Sequence, residues 1–208
     1  MARVLAELID PAHTALVTQE CQEGVIGESS ALPGLAEGVA RVGMVENAAR
    51  LARAARAVGA RVIHCTAERR SDGLGANRNA RLFQYMAKAK TPLLPGSPAA
   101  RLVRELGPEP GDLVLARLHG LSPFQGTELD SVLRNEGVRT IVGVGVSVNV
   151  AIQNFAFDAV NAAYQMVIPR DAVAGFPADY VEMVFANTLG AIATLTTTEE
   201  IAAVWETR

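Results

Sequence analysis

Residues 139–160, RTIVGVGVSVNVAIQNFAFDAV, join a strand pattern to a helix pattern across a glycine-containing turn. Residues 139–146 are mostly apolar and β-branched, which is typical of a buried β-strand. Residues 148–163 then place apolar side chains at helical spacing. A strand that turns directly into a helix is half of a βαβ unit, so this stretch predicts an α/β fold with a parallel sheet.

The same alternation continues on both sides of this stretch. Further strands are predicted at residues 13–20, 61–66, 112–117, 164–169 and within 178–205. Helices are predicted at residues 37–58, as one long surface helix ending at Gly59, and at 80–87, 98–106, 127–137 and the two ends of 178–205, the last starting at Thr198. We expect one domain over residues 1–208, a three-layer α/β/α sandwich with a mainly parallel sheet.

In such a sandwich, ligands bind outside the carboxyl ends of the strands, where the strand order reverses. In this sequence those ends are Glu20, Thr66, Arg117 and Gly145. The sequence therefore predicts a site built from residues that lie far apart along the chain.

Composition limits the classes of partner. The net charge is -3 and the chain has no long block of Lys and Arg, which argues against nucleic acid and anionic membrane as partners. Glu7 and Asp10 interrupt the first apolar run, so we expect no signal peptide, and no window suits a membrane span. The two cysteines, Cys21 and Cys65, lack the spacing of a disulfide framework or a metal site, which indicates a reducing, cytoplasmic setting.

Four segments carry a more specific signal: residues 15–22, ALVTQECQ; 116–130, ARLHGLSPFQGTELD; 143–160, GVGVSVNVAIQNFAFDAV; and 164–175, YQMVIPRDAVAG. In order, spacing and surrounding pattern they resemble the isochorismatase-like, or cysteine, hydrolases. This resemblance covers nearly the whole chain. It implies the three-layer fold, a small-molecule substrate, and assembly into homodimers or homotetramers.

The resemblance also implies a changed catalytic triad. Glu20, Arg117 and Ala151 stand where the family carries aspartate, lysine and the nucleophilic cysteine. Gln22 matches a family glutamine, and we expect it to contact the substrate. The other matches to the second segment are Ser122, Phe124, Gly126, Thr127 and Leu129. An alanine cannot attack a carbonyl, so the thioester route requires Cys21 or Cys65 to have taken over the role.

Within the family, isochorismatases work without the cysteine: the acid residue protonates a vinyl ether, and water completes the cleavage. The resemblance therefore implies that Glu20 could act as acid or base, although its longer side chain shifts the carboxyl group relative to aspartate. The fork of Arg117 suits a substrate carboxylate, and it equally suits a buried ion pair with Glu20. Both roles are compatible.

Five further residues are candidates for the site, each with a plainer alternative. His119 follows Arg117 in a loop and is either a general acid or base or a solvated side chain. Ser147, Asn149 and Val150 begin the helix that leads to Ala151, where they either contact an anionic or carbonyl ligand or only cap and start the helix. Phe124 either covers a flat substrate or packs in the core.

Cofactors are not indicated. The Asp-x-His-x-His metal pattern of some family members is absent from residues 65–73, CTAERRSDG, so we predict no metal. Gly143 and Gly145 lack the third glycine of a dinucleotide fingerprint, so we predict no nicotinamide cofactor. The loop arginines Arg69, Arg70 and Arg78 either attract acidic substrates or are simply solvated.

The leading hypothesis is a hydrolase of this family that lacks the thiol and uses acid-base chemistry on a small anionic substrate, such as a vinyl ether. One alternative is a non-catalytic ligand-binding or scaffold protein that kept the fold. The other is an amidase that uses a relocated cysteine.

Overall fold

The computed structural model describes residues 4–207. Within them the strands are β1 Thr14–Gln19, β2 Arg61–Ala67, β3 Leu113–Arg117, β4 Thr140–Val146, β5 Gln165–Pro169, β6 Val173–Ala174 and β7 Thr194–Thr196. They form one sheet in the order β3-β2-β1-β4-β5-β7, and the short β6 pairs with β4. Every pairing between these strands is parallel.

The α-helices described are α1 Leu5–Leu8, α2 Glu23–Ile26, α3 Pro33–Val42, α4 Met44–Ala57, α5 Arg81–Met86, α6 Leu129–Asn135, α7 Gln153–Asn161, α8 Ala178–Val184, α9 Gly190–Ile192 and α10 Thr198–Glu206. One apolar cluster joins α3, α4 and α10 to one face of the sheet. A second cluster joins α6, α7 and α8 to the other face. The predicted three-layer α/β/α sandwich is therefore confirmed.

Every residue of β1 and β4 is buried, so the centre of the sheet is covered on both faces. The chain leaves β1 towards β2 and β3 on one side, and later returns to β4 and β5 on the other. The strand order therefore reverses between β1 and β4, and parallel strands bring all their carboxyl ends to one edge. This topology opens a crevice beyond Gln19 and Val146.

Five details differ from the sequence prediction. The long helix at residues 37–58 is two helices, because Gly43 takes a left-handed φ of 63° that ends α3 and starts α4. Much of α4 is buried, so it is a core helix with an exposed side. Residues 98–106 form two short 3-10 turns, Pro98–Ala100 and Arg104–Leu106. The helix after β4 opens with a π-helical turn, Val148–Ile152, and β6 was not predicted.

The last helix, α10, begins at Thr198 as predicted. Thr197 is its N-cap: the side chain accepts from the Glu200 N–H at 3.2 Å, and the Glu200 carboxylate accepts from the Thr197 N–H at 3.1 Å. At the other end of α10, Trp205 donates its indole N–H to the Ile9 carbonyl at 2.9 Å, which fixes the helix against the start of the chain.

The prediction about a signal peptide concerns in part Met1–Arg3, which lie outside the described residues. From residue 4 to residue 207, none of the helices is long and apolar enough to cross a bilayer.

Candidate functional site

A cavity of about 700 Å³ lies at the carboxyl ends of the central strands. Glu20, Arg117 and Ala151 all line it. In sequence, Glu20 and Arg117 are almost a hundred residues apart, and Ala151 follows Arg117 by more than thirty residues. Its volume is within the range of small-molecule pockets. The strand reversal predicted from the sequence thus gathers the three residues at one place.

Glu20 directly follows β1 and has a left-handed backbone, with a φ of 54°. Its N–H donates to the Cys65 carbonyl at 2.9 Å, which ties this turn to β2. Its carboxylate accepts hydrogen bonds from the Arg117 guanidinium and from the Gln19 amide, the latter at 3.3 Å. A non-glycine residue in this conformation persists only where its surroundings hold it, so the carboxylate is fixed towards the cavity floor.

Arg117 ends β3, and its side chain is only 3% exposed. Nη2 donates to Glu20, whereas Nε and Nη1 are buried and have no hydrogen-bond partner among residues 4–207. A buried donor without a partner costs about 1–3 kcal/mol. The guanidinium therefore has hydrogen-bonding capacity that the protein itself leaves unused.

The segment after β4 forms another part of the cavity wall, where Ser147, Asn149, Val150 and Ala151 line the space. The expectation of free N–H groups at this helix start holds less well for Val150, whose N–H donates to the Ser147 carbonyl at 3.1 Å. Ser147 makes no side-chain capping hydrogen bond. The Asn149 Oδ1 is buried and unpartnered within the described part of the chain.

Gly145 allows this segment to approach β1. Its φ is 111°, and a Cβ atom there would overlap the Gln19 carbonyl oxygen and lie 3.0 Å from the Cys21 sulfur. Any larger residue would push β4 away from the end of β1. The glycine is therefore required by a close backbone contact beside the site.

The structure places the remaining candidates differently. His119 lines the cavity, is exposed, and lies against Gly126. Gln22 is buried outside the cavity lining: its amide donates to the Ala67 and Ala100 carbonyls and accepts from the Ala67 N–H, at 2.8–2.9 Å. Gln22 thus holds the loops around the site together, a position that gives it no contact with the cavity.

Phe124 also lies outside the cavity lining. Its ring packs 5.8 Å from that of Phe155 and 5.9 Å from that of Tyr164, measured between centroids. The packing alternative describes this position, because the side chain joins the core cluster under α6 and α7. The adjacent Ser122 hydroxyl donates to Asp158 and accepts from the Phe124 and Gln125 N–H groups. These contacts shape the loop that follows Arg117.

Neither cysteine lines the cavity, and both are buried. Burial raises the pKa of the Cys21 thiol to about 12, with a further contribution from the nearby Glu20 carboxylate. Burial likewise raises the pKa of the Cys65 thiol to about 12. A thiol that stays protonated and has no access to the cavity is a poor nucleophile.

The loop arginines separate into two kinds. Arg69 and Arg78 line the cavity, whereas Arg70 forms an exposed ion pair with Asp72 outside it. Within residues 4–207 there is no group of three or more His, Cys, Asp or Glu side chains that could hold a metal ion.

Sequence reasoning missed the apolar part of the cavity wall. Leu32, Leu35, Leu82, Phe83, Met86, Leu93 and Phe176 are among its lining residues. The available signal was the spacing of Leu82, Phe83 and Met86, which puts three large apolar side chains on one face of a short helix within a polar segment.

Comparison with known proteins agrees with this architecture. A family model described as the isochorismatase domain matches residues 14–200. The ureidoacrylate amidohydrolase RutB of Agrobacterium fabrum is 29% identical over 187 residues, which are 84% of this chain and 81% of that protein. A cysteine hydrolase from Pseudomonas syringae pv. phaseolicola superposes with a TM-score of 0.83 at 26% identity, covering 96% of this chain and 95% of that one.

An N-carbamoylsarcosine amidase from Thermoplasma acidophilum has the same fold, with a TM-score of 0.70 at 23% identity over 90% of this chain and 97% of that one. The resemblance of the four sequence segments is thus confirmed by a family match across most of the chain. This protein belongs to the isochorismatase domain family.

Proposed function

We propose that this protein is a hydrolase that works without a thiol nucleophile, on a small anionic substrate of the vinyl ether type. The observation that carries the proposal is the ion pair between Glu20 and Arg117, at a cavity that Ala151 also lines. A charged pair is retained where a nucleophile is absent. Such a site can supply acid-base and electrostatic chemistry, whereas it cannot form a thioester.

The comparisons support the reaction class. The relatives bear the names of an amidohydrolase, a cysteine hydrolase and an amidase. All three names describe hydrolases, and one of them specifies a cysteine hydrolase. We infer that Ala151 occupies the position of the family nucleophile, because it follows the glycine-containing strand end and opens the helix at the cavity wall.

Arg117 would hold the substrate by a carboxylate. The unpartnered Nε and Nη1 atoms lie on different edges of the guanidinium, and each offers an N–H from which a carboxylate oxygen can accept. Binding an acceptor would satisfy donors that are otherwise buried without partners. Arg117 thus serves both as the partner of Glu20 and as the clamp.

Glu20 would be the acid. A substrate carboxylate at Arg117 stands beside the Glu20 carboxyl group, which is paired with the same guanidinium. For a 2-alkoxyacrylate, Glu20 gives its proton to the terminal CH2 carbon. Water then adds to the ether carbon and returns a proton to Glu20. The resulting hemiketal breaks its bond to the alkoxy oxygen, which gives an alcohol and a 2-oxo acid with a methyl group.

Two alternatives remain open to test. A ligand-binding protein would use the same cavity and Arg117 without turnover. An amidase would need Cys21 or Cys65, and the burial and raised pKa values of both thiols count against that route.

The test is turnover of two substrate panels by the purified protein: 2-alkoxyacrylates of increasing size, and small primary amides. We expect alcohol and 2-oxo acid from the first panel, with no covalent adduct in the mass spectrum of the protein during turnover. In D2O the methyl group of the product should gain one deuterium per cleavage.

Cleavage of amides with an accumulating acyl-protein would contradict the thiol-free mechanism. Saturable binding of the ethers with no product from either panel would replace it with the ligand-binding alternative.

A further inference from the structure

The helix α5, Arg81–Met86, is attached to the protein without burying any of its side chains. Leu82, Phe83 and Met86 occupy one face, and all three line the cavity. A helix of this length is not stable alone and normally forms by packing an apolar face on a core. Here the three side chains of that face are only partly buried and belong to neither apolar core cluster.

Polar contacts hold α5 in place. The Tyr85 hydroxyl donates to the Ala31 carbonyl at 3.0 Å, and Arg69 Nη1 donates to the Ala87 carbonyl at 3.1 Å. Neither contact covers Leu82, Phe83 or Met86. The apolar face of α5 therefore packs on neither core cluster and leaves part of its surface to the cavity.

Other apolar side chains line the same cavity. Val25, Leu35 and Leu93 are buried parts of the core beside it. Phe176 lines it as well and is 38% exposed, which is high for a phenylalanine. The cavity thus combines a large apolar wall with the Glu20 and Arg117 pair.

The charges of the lining favour an acid. Four cationic side chains, Arg69, Arg78, Lys88 and Arg117, line the cavity with two acidic ones, Glu20 and Glu68. Arg117, one of these lining residues, has two nitrogens without a hydrogen-bond partner among residues 4–207. A ligand that matches this lining carries one acidic group on an apolar body.

We propose that the ligand of this cavity is a small amphiphilic acid, with its carboxylate on Arg117 and an alkyl or aryl body against the face of α5 formed by Leu82, Phe83 and Met86. This inference rests on the proposed function for the role of Arg117 and adds the substrate's second half. The apolar body completes the packing of α5, so binding should also order this helix.

The test is calorimetric titration of the full chain with butyrate, hexanoate and octanoate. Burial of each additional methylene should lower Kd about threefold to fourfold. Octanoate should bind more tightly than 1-octanol, because only the carboxylate carries a negative charge and accepts charge-assisted hydrogen bonds from Arg117. A Kd that does not change with chain length would overturn the proposal, as would equal affinity for the alcohol.

Two variants locate the apolar body. Phe83→Ala should raise the Kd of octanoate roughly tenfold while changing that of butyrate less than about twofold. Arg81→Gln is the matched control on the same helix, outside the cavity lining, and should leave both values unchanged. Equal effects of the two variants on octanoate would contradict the assignment of the α5 face.

Thermal melting of both variants checks the fold, which should be intact because α5 buries no side chain. The outcomes separate this inference from the function proposed above. Length-dependent binding of octanoate without turnover of any ether would contradict the hydrolase and leave the ligand class standing. Turnover at a rate that does not depend on the size of the alkoxy group would support the hydrolase and contradict the amphiphilic ligand class.

Discussion

At the scale of single residues, the decisive feature is a position that carries no functional group. Ala151 is buried and lines the cavity at the start of the helix after β4. Its neighbours in space, Glu20 and Arg117, remain ionic and paired. The site therefore has charge and hydrogen-bonding capacity without a nucleophile on the chain.

Ala151→Cys tests this placement. A thiol at residue 151 would face the cavity and should be alkylated by iodoacetamide, whereas Cys21 and Cys65 stay unmodified because burial raises their pKa values to about 12. Peptide mass spectrometry identifies the labelled residue. Ala156→Cys, buried on α7, is the matched control and should not react. Labelling of Cys21 or Cys65 at a comparable rate would refute the placement.

Arg117→Met tests the ion pair. It leaves the partly buried Glu20 carboxylate without its partner, and we expect a loss of about 1–3 kcal/mol in the free energy of unfolding, less than for a fully buried pair. Urea denaturation measures it. Adding Glu20→Gln removes the unpaired charge and should recover part of the loss. A double variant less stable than Arg117→Met would contradict this account.

At the scale of secondary-structure elements, the strands followed from sequence more closely than the helices did. Strands β1, β2 and β4 are short apolar runs with polar residues at their ends, and they occur almost where predicted. Gly43 was not recognised as a break, because its flanking residues continue the same apolar spacing. The positions of Gln22 and Phe124 depend on contacts with distant segments, which no local pattern encodes.

Gly43→Ala tests the break between α3 and α4. An alanine at a φ of 63° has room, since the nearest side-chain atoms are 3.8 Å away, so the cost comes from the left-handed backbone alone. We expect a loss of about 1 kcal/mol in the free energy of unfolding. Arg53→Ala, within α4, is the control. A gain in stability would show that the two helices can join as one.

Because of His64 on β2, we expect the stability of the fold to depend on pH. The ring is fully buried, with Nδ1 2.9 Å from the Thr18 hydroxyl and Nε2 3.3 Å from Asp112. Burial lowers the pKa of His64 below its ordinary value of 6.5, although Asp112 acts in the opposite direction. The unfolded chain therefore binds a proton that the folded chain refuses, so stability is present above pH 6.5 and is lost as the pH falls below it.

The measurement is the Tm of the wild type and of His64→Gln between pH 7.5 and 5.5. The wild type should lose more of its Tm on acidification than the variant, whose residue 64 does not titrate. An equal loss in both would assign the acid sensitivity to other groups.

At the scale of the whole molecule, the order of the strands determines where the site forms. A reversal of the strand order was expected from the alternation of elements, although its place between β1 and β4 was not. The strand ends at Glu20 and Arg117 and the family resemblance at Ala151 together predicted that these three residues share one site. The apolar wall of the cavity was not predicted: a helix was expected at residues 80–87, but no local pattern shows which surface its apolar face meets.

Self-association stays a prediction: light scattering should give two or four times the chain mass of 21.9 kDa, and a monomer would refute it.

The most direct test of a thiol-free hydrolase compares kcat/KM for a 2-alkoxyacrylate among the wild type, Glu20→Gln and the double variant Cys21→Ala/Cys65→Ala. We expect a loss of about a hundredfold or more in Glu20→Gln, which is typical for removal of a general acid. The double cysteine variant should keep the wild-type value. The reverse pattern, with activity lost along with the cysteines and kept in Glu20→Gln, would contradict the account.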